Sequence, residues 1–374
     1  MEDPFSSLRI DPYARVPIAV QLAEQIGWLI ASRRIARDDR LPPIRPLADR
    51  LGVNMHTVTS AYRQLEGDGL VSTRQGRGTI VLGYDRSRRA SHSPDAPTHT
   101  VGVLIREHSA YTDPLLEGLQ AAAEQSSVLL LVTTTHNAPD QAAGCLDRLV
   151  AKNVDGIIVA SLGRPEDPDL AAGLLHAFAM PPIVYVDLPD APGPTVLFDL
   201  ETGVLKAVEH LIGHGRKRVG LVTGPPDWAH AAPVSRGYAR AHGNRGLAIP
   251  QDLTAECPDL TVKSGRAAAD SLLDLGSPPS AILAASSDLT FGVMQAIRGT
   301  GLRIPDDIAV ISCEDPSTAS LVDPPLTAVR LPAREMGREA MSMLGRLILG
   351  KTVRPSMVIL PTRLILRRSC GCPG

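Results

Sequence analysis

From Val101 onward, short apolar runs alternate with amphipathic stretches: VGVLI, PLLEGLQAAAEQ, LLLVTT, QAAGCLDRLVAK, GIIVAS, DLAAGLLHAFA and PIVYVD. Such brief apolar runs suit strands buried on both faces, and the stretches between them repeat apolar residues at helical spacing. This alternation predicts a parallel sheet flanked by helices. After VLFD and ETGVLKAVEHLIGHG the pattern restarts with VGLVTG, a helix near Tyr238, a helix through Ala268 and Leu272, AILAAS, DLTFGVMQAIRG and IAVISCED. Two α/β lobes are therefore expected, with a small molecule held in the cleft between the carboxyl ends of their strands.

The stretch DRSRRASHSPDAPTHT, residues 85–100, is polar, contains two prolines and follows neither period, so it is predicted to be a linker. It divides the 374 residues into a domain over 1–84 and a two-lobed domain over 101–374. With 44% hydrophobic and 21% charged residues the chain can build packed cores. No run is long and apolar enough for a membrane helix, and the opening MEDPFSSLRI carries no apolar signal core, so a soluble cytoplasmic protein is expected. The five cysteines are odd in number and scattered, which argues for reduced thiols. Cys370 and Cys372 form a C-x-C with no second pair nearby in the sequence, so no metal and no cofactor is expected.

The net charge of −2 hides an asymmetry: residues 1–90 carry 14 Arg, no Lys and 10 acidic residues, and are the basic part of the chain. Ile18, Leu22, Ile26, Leu29 and Ile30 follow a helical period ending near Arg33 and Arg34. A short helix burying Leu47, Ala48 and Leu51 follows, ended by Gly52. Asn54 is placed to cap a third helix whose Val58, Ala61, Tyr62 and Leu65 face inward. Helix, glycine turn and helix make a helix-turn-helix, and LVSTR, QGRG and TIVL after it make a two-stranded wing. Asn54, His56 and Thr57 stand where a groove-entering helix meets base edges, Arg63 lies on the outer face, and Arg74, Gln75, Gly76 and Arg77 form the hairpin tip suited to phosphate or the minor groove.

The whole stretch PIAVQLAEQIGWLIASRRIARDDRLPPIRPLADRLGVNMHTVTSAYRQLEGDGLVSTRQGRGTIV resembles the winged-helix domain of GntR-family transcription regulators. The resemblance implies that Arg45, at the start of the second helix, contacts phosphate or base. It also implies that Asn54, His56 and Thr57 are reading positions and Gly76 and Arg77 the wing tip. Where many relatives have Ser-Arg this chain has Asn54-Met55. A methionine cannot hydrogen-bond a base, which predicts a different operator preference.

In the two-lobed half, the candidates just after the strands are His108, Ser109 and Tyr111; His136 and Asn137; Ser161; then Asp187 and Asp199. The second lobe offers Trp228, Ser287, Asp288, Glu314 and Asp315. Carboxylates accept hydroxyl protons and an indole covers the apolar face of a pyranose, so this set points to a polyol or sugar. The runs VDGIIVAS, VLFDLETGVLKAVEHLIGHGRKRVGLVTGPP, SSDLTFGVMQAIRGTGLRIPDDIAVISCEDP, DPPLTAVRLPAREMGREA and RLILRRSC resemble the effector domain of the LacI family over residues 100–370. That implies a fold similar to periplasmic sugar-binding proteins and a homodimer. The chain departs at Ser287-Asp288 and Glu314-Asp315, where the usual pairs are Asn-Asp and Asp-Asp, and at Arg236, which directly precedes Gly237-Tyr238. Arg236 is taken with the effector contacts.

Catalytic signatures are weak. GHGRKR lacks a third glycine and follows a helix, and neither a Walker loop nor a nucleophile elbow occurs. The expectation is a ligand-responsive repressor, a homodimer on a pseudo-palindromic DNA operator with a sugar as effector. An activator of the same anatomy, or a sugar-acting α/β enzyme with a DNA-binding appendage, is the alternative.

Overall fold

The computed structural model describes residues 4–8, 10, 17–31, 34–74, 78–82, 98–136, 141–160, 181–249 and 251–373. The head contains α1 (Ile18–Ala31), α2 (Ile44–Leu51), α3 (Met55–Gly67), β1 (Val71–Arg74) and β2 (Gly78–Val81). Its core is the predicted set: Leu22, Ile26, Leu29 and Ile30 from α1 meet Leu47 and Ala48 from α2 and Val58, Ala61, Tyr62 and Leu65 from α3. Ile18 and Leu51 are only half-buried. Gly52 ends α2 with φ 65, a left-handed turn that lets the chain reverse into α3. Tyr62 donates its hydroxyl to the Pro42 carbonyl at 2.7 Å, and Glu66 accepts the Thr73 amide at 2.7 Å, so α3 is tied to the turn before α2 and to the wing.

The chain continues through β3 (Thr100–Ile105), α4 (Thr112–Gln125), β4 (Leu129–Thr134), α5 (Ala142–Ala151), β5 (Gly156–Ala160), β6 (Ile183–Val186) and β7 (Thr195–Asp199). Then follow α6 (Leu200–Gly213), β8 (Val219–Thr223), α7 (Ala231–Asn244), β9 (Thr254–Glu256), α8 (Val262–Leu273), β10 (Ala281–Ala284) and α9 (Ser287–Gly299). The last elements are β11 (Ala309–Ser312), β12 (Thr327–Arg330), α10 (Ala333–Ile348), β13 (Met357–Pro361) and β14 (Arg363–Ile365). The first lobe's sheet has the order β13-β7-β6-β5-β3-β4 and is parallel throughout; the second has the order β14-β12-β11-β10-β8-β9, with β14 antiparallel at its edge. The expected helix DLAAGLLHAFA lies outside the described residues. Among the described residues, no helix is long and apolar enough to cross a membrane.

The linker expected over 85–100 is shorter at its far end. The Thr98 amide donates to Asp155 at 2.8 Å, its hydroxyl reaches the Asn153 carbonyl at 3.1 Å, and Thr100 already pairs with Leu129 in the first sheet. Composition hid this, because threonines that serve a carboxylate one strand away look like any polar linker.

Three crossings join the lobes: β7 into α6, β12 into α10, and β13 into β14 through Thr362. Thr362 donates its hydroxyl to the Asp199 carbonyl at 2.8 Å, binding the first crossing to the third. Gly203 lets them approach: a Cβ there would stand 2.5 Å from Thr362 Oγ1 and 2.7 Å from Val329 Cγ1.

Candidate functional site

The head presents exposed polar groups on α2 and α3. Arg45 is exposed in the first turn of α2, and Asn54, His56 and Arg63 are exposed along α3, while Thr57 is half-buried beside them. Asn54 Oδ1 accepts the His56 amide at 2.9 Å, so its oxygen caps the helix and its NH2 group is left for a partner. Met55, 52% exposed, stands among these groups and offers an apolar contact of the kind a thymine methyl takes. Arg74 ends β1 opposite Gly78; its side chain, and all of Gln75, Gly76 and Arg77, lie outside the described residues.

Between the lobes lies a cavity of about 400 Å³. It is built where the topology rule places it, beyond the carboxyl ends of β3 and β6 in one sheet and of β8, β10 and β11 in the other. Of the predicted residues, His108, Tyr111, Asp187, Trp228, Asp288 and Glu314 line it. Ser109 and Ser287 line it as well, and Ser109 Oγ also accepts the Thr112 amide at 3.1 Å, just before α4.

Arg106, Phe198 and His230 line the cavity without having been expected. Arg106 directly follows VGVLI, so the strand-end rule covers it. His230 stands two residues past Trp228 in a loop, and Phe198 lies inside β7, where sequence offers no such signal. One wall is aromatic: Tyr111 and Phe198 have ring centroids 5.7 Å apart, Phe198 and His230 5.2 Å, and Trp228 meets His230 edge-on at 5.2 Å. Acidic groups adjoin this wall. Glu314 accepts both the amide and the hydroxyl of Ser287 at 2.9 Å.

His230 Nε2 lies 3.2 Å from Asp187 Oδ2, an ion pair that spans the two lobes with the Asp187 side chain only 5% exposed. Burial alone would lower the His230 pKa, but the carboxylates of Asp187 and Glu314 outweigh it and hold the imidazole above its ordinary value. Burial also raises Glu314, which the Ser287 hydrogen bonds only partly offset. The same burial pushes the Tyr111 hydroxyl and the Cys313 thiol well up.

Several expected contacts are corrected. Arg236 is exposed on α7 and donates Nε to Glu201 Oε2 at 2.8 Å, with Arg240 on the same carboxylate; it serves the α6–α7 surface and does not line the cleft. His136 follows the edge strand β4 and does not line the cavity; its Nε2 meets Thr134 Oγ1 at 2.9 Å in a more open neighbouring depression that shares His108 with the cleft. Asp199 caps α6 by accepting the Thr202 amide at 2.9 Å. Asp315 is buried between Arg367 at 2.7 Å and Arg330 at 2.8 Å. Asn137 and Ser161 lie outside the described residues.

A helix-turn-helix face on a chain that also holds a two-lobed ligand cleft defines a ligand-responsive DNA-binding regulator. Comparison with known proteins agrees: residues 18–81 match the bacterial regulatory proteins of the gntR family, and residues 208–370 match the periplasmic binding protein-like domain. The HTH-type transcriptional regulator CelR of Thermobifida fusca is 29% identical over 344 residues, 88% of this chain and 98% of that one. A CelR–cellobiose complex is 25% identical, with a TM-score of 0.65 over 88% of this chain and all of that one. The arabinose metabolism transcriptional repressor of Geobacillus stearothermophilus is 26% identical over 365 residues, 95% of this chain and 98% of that one. A lac repressor dimer bound to operator and an anti-inducer shares the fold at 23% identity, with a TM-score of 0.65 over 74% of this chain and 95% of that one. The chain is therefore a transcription regulator, not an enzyme, that joins a GntR-family helix-turn-helix domain to a LacI-type periplasmic-binding-protein-like domain.

Proposed function

We propose that this regulator is a sugar-responsive repressor acting in the cytoplasm as a homodimer on a pseudo-palindromic operator. The observation that carries the effector assignment is the cavity itself. Its volume falls in the range of small-ligand sites, and it is lined both by the rings of Trp228, Phe198 and Tyr111 and by the carboxylates of Asp187, Asp288 and Glu314. Rings cover the apolar face of a pyranose while carboxylates accept its hydroxyl protons. The cellobiose complex of CelR and the arabinose repressor support a sugar and repression.

Residues 1–84 form the DNA-binding domain and the effector domain begins at Thr98, with the tether between. In the head, Arg45, Asn54, His56, Thr57 and Arg63 enter or flank the major groove, and the tip Arg74–Arg77 follows the adjacent backbone. The dimer is supported by apolar side chains left open on an edge strand: Leu129 and Val132 on β4 are 65% and 46% exposed. A sugar bridging the lobes competes for Asp187 and so resets the His230–Asp187 pair. The two lobe arrangements then present the paired heads differently to DNA, which is the differential binding that allostery requires.

The test is thermal unfolding of the full chain with sugars, sugar phosphates and nucleosides, followed by operator binding. A ligand at 100 times its Kd adds about 2.7 kcal/mol to the domain that binds it. One sugar class is expected to raise Tm and weaken operator binding, and Trp228→Ala to lose both responses. A shift with nucleosides alone, or a sugar that tightens operator binding, would sink the reading.

A further inference from the structure

Away from the cleft, at the far end of α6, two histidines and two cysteines come together. His210 lies in the last turn of α6 and His214 is the residue that ends it, so the two rings sit one turn apart on one face with centroids 4.5 Å from each other. The chain's last turn brings Cys370 and Cys372 onto that face. Cys372 Sγ lies 3.5 Å from His210 Nε2 and 3.5 Å from His214 Nε2, and Cys370 Sγ lies 3.4 Å from His210 Nε2. The ligand atoms of His210, His214 and Cys372 all fall within 4.8 Å of one another.

From these distances we infer that His210, His214 and Cys372, with Cys370 as fourth donor, form a structural binding site for a tetrahedral divalent cation of the zinc class. A zinc ion holds imidazole nitrogen at about 2.0–2.1 Å and thiolate sulfur at about 2.3 Å, which in a tetrahedron puts N and S about 3.5 Å apart. The spacings of Cys372 to the two histidines match that value, so the cation enters among these three donors in place, and Cys370, close to His210 but outside the group whose donor atoms all lie within 4.8 Å, completes the tetrahedron by turning its side chain inward. Two soft thiolates with two imidazoles select zinc over the oxygen-seeking calcium and magnesium. Binding displaces the thiol protons to solvent and leaves the imidazoles neutral. The position also suits charge, because the carboxyl end of α6 is the negative end of its dipole.

The site is held from behind. Ser369, fully buried, donates its hydroxyl to the Val310 carbonyl at 2.7 Å and accepts the Thr327 amide at 2.8 Å, pinning the tail across β11 and β12. Thr327 Oγ1 lies 3.1 Å from Cys370 Sγ, a hydrogen bond from behind that orients the thiol. Gly371, with φ 99, makes the left-handed turn that returns Cys372 toward α6. A cation there staples residues 368–372 to the helix that leads out of the first lobe crossing. The C-x-C alone gave no hint of it, because its histidine partners lie some 160 positions earlier.

The experiment is titration of the full chain, kept under a non-thiol reductant, with Co2+ and then Zn2+. Expected is one equivalent of Co2+ with the intense visible bands of a tetrahedral complex and a thiolate-to-cobalt charge-transfer band, all erased by one equivalent of Zn2+. His214→Ala, at an exposed position, and Cys372→Ser, a near-isosteric change at a half-buried position on the edge of the core, should each weaken Co2+ binding at least tenfold while the fold persists by circular dichroism. Cys370→Ser should cut the charge-transfer band to about half. No tetrahedral spectrum at equimolar cobalt, or a spectrum unchanged in the His214→Ala/Cys372→Ser double variant, would overturn the site. An undiminished charge-transfer band in Cys370→Ser would overturn the four-donor form.

Discussion

On the head, Arg45, Asn54, His56 and Arg63 all come from residues 45–63 and stand in water, whereas the cleft gathers Arg106, Asp187 and Glu314 from strand ends of two sheets and His230 from a loop, and withdraws several of them from solvent. The difference separates two kinds of recognition. Exposed cations facing a polyanion act through counterion release and are tuned by salt. Carboxylates and an imidazole taken out of water interact strongly with each other and are tuned by protons and by whatever ligand replaces their mutual contacts.

If the two regions are separate folding units, damage to one core should leave the other working. Leu47 is 1% exposed at the centre of the head, and Leu47→Ala should destabilise that domain by about 2–5 kcal/mol through lost burial and the cavity left behind. Operator binding should be lost while the ligand-induced Tm shift of the effector domain is retained, read by calorimetry in which the head melts first. A single transition that moves as a whole would merge the two regions into one unit.

The cleft's proton dependence offers a sharper contrast. Asp187→Ala removes one partner of a buried pair and should cost about 3 kcal/mol of effector-domain stability in acid. The sign follows from His230, whose pKa in the folded protein lies above its ordinary value. The pair's stabilisation is then fully present below about pH 6.5 and fades as pH rises through the raised value. Urea unfolding at pH 6 and pH 8.5 should show a large loss at the lower pH and a small one at the higher. Equal losses at both would mean that Asp187 acts through packing and backbone alone.

On the head the matching variable is salt. Arg45→Ala or Arg63→Ala should weaken operator binding by about 1–3 kcal/mol with relaxed sequence preference if the side chain reads a base. If it meets phosphate, the slope of log K against log salt should fall by about 0.9. Fluorescence anisotropy from low to moderate salt separates the cases, and no change in either quantity removes that arginine from the interface.

The head was readable because its information is local. The 3.6-residue spacing of Leu22, Ile26 and Leu29, and of Val58, Ala61, Tyr62 and Leu65, is the same spacing that buries them. The order of strands along the chain was equally plain, and it put Asp187, Trp228, Asp288 and Glu314 at the cleft. What local pattern does not carry is strand order across a sheet. His136 was misplaced because nothing in LLLVTT says that β4 is outermost, and Arg236 because helical phase does not say which neighbour a face meets. His230 was missed because its significance is a carboxylate in the other lobe, and the histidine–cysteine cluster for the same reason at greater separation.

The smallest expected effect falls on Asn54, where the two demands on one residue can be pulled apart. Its oxygen caps α3 through the His56 amide, and the NH2 group is proposed to face DNA. Asn54→Ala loses both and should cost about 1 kcal/mol of head stability together with operator affinity. Asn54→Asp keeps an acceptor for the cap, in a residue equally suited to that position and favourable to the helix dipole, so stability should stay within a few tenths of a kcal/mol. It also replaces the donor with a negative charge facing phosphate. Operator binding should therefore fall in the aspartate variant while the head's melting temperature holds, and paired calorimetry and anisotropy measure the two separately. If the aspartate variant binds operator as tightly as the parent chain, Asn54 is a cap and nothing more, and the reading of the operator passes to Met55, His56 and Thr57.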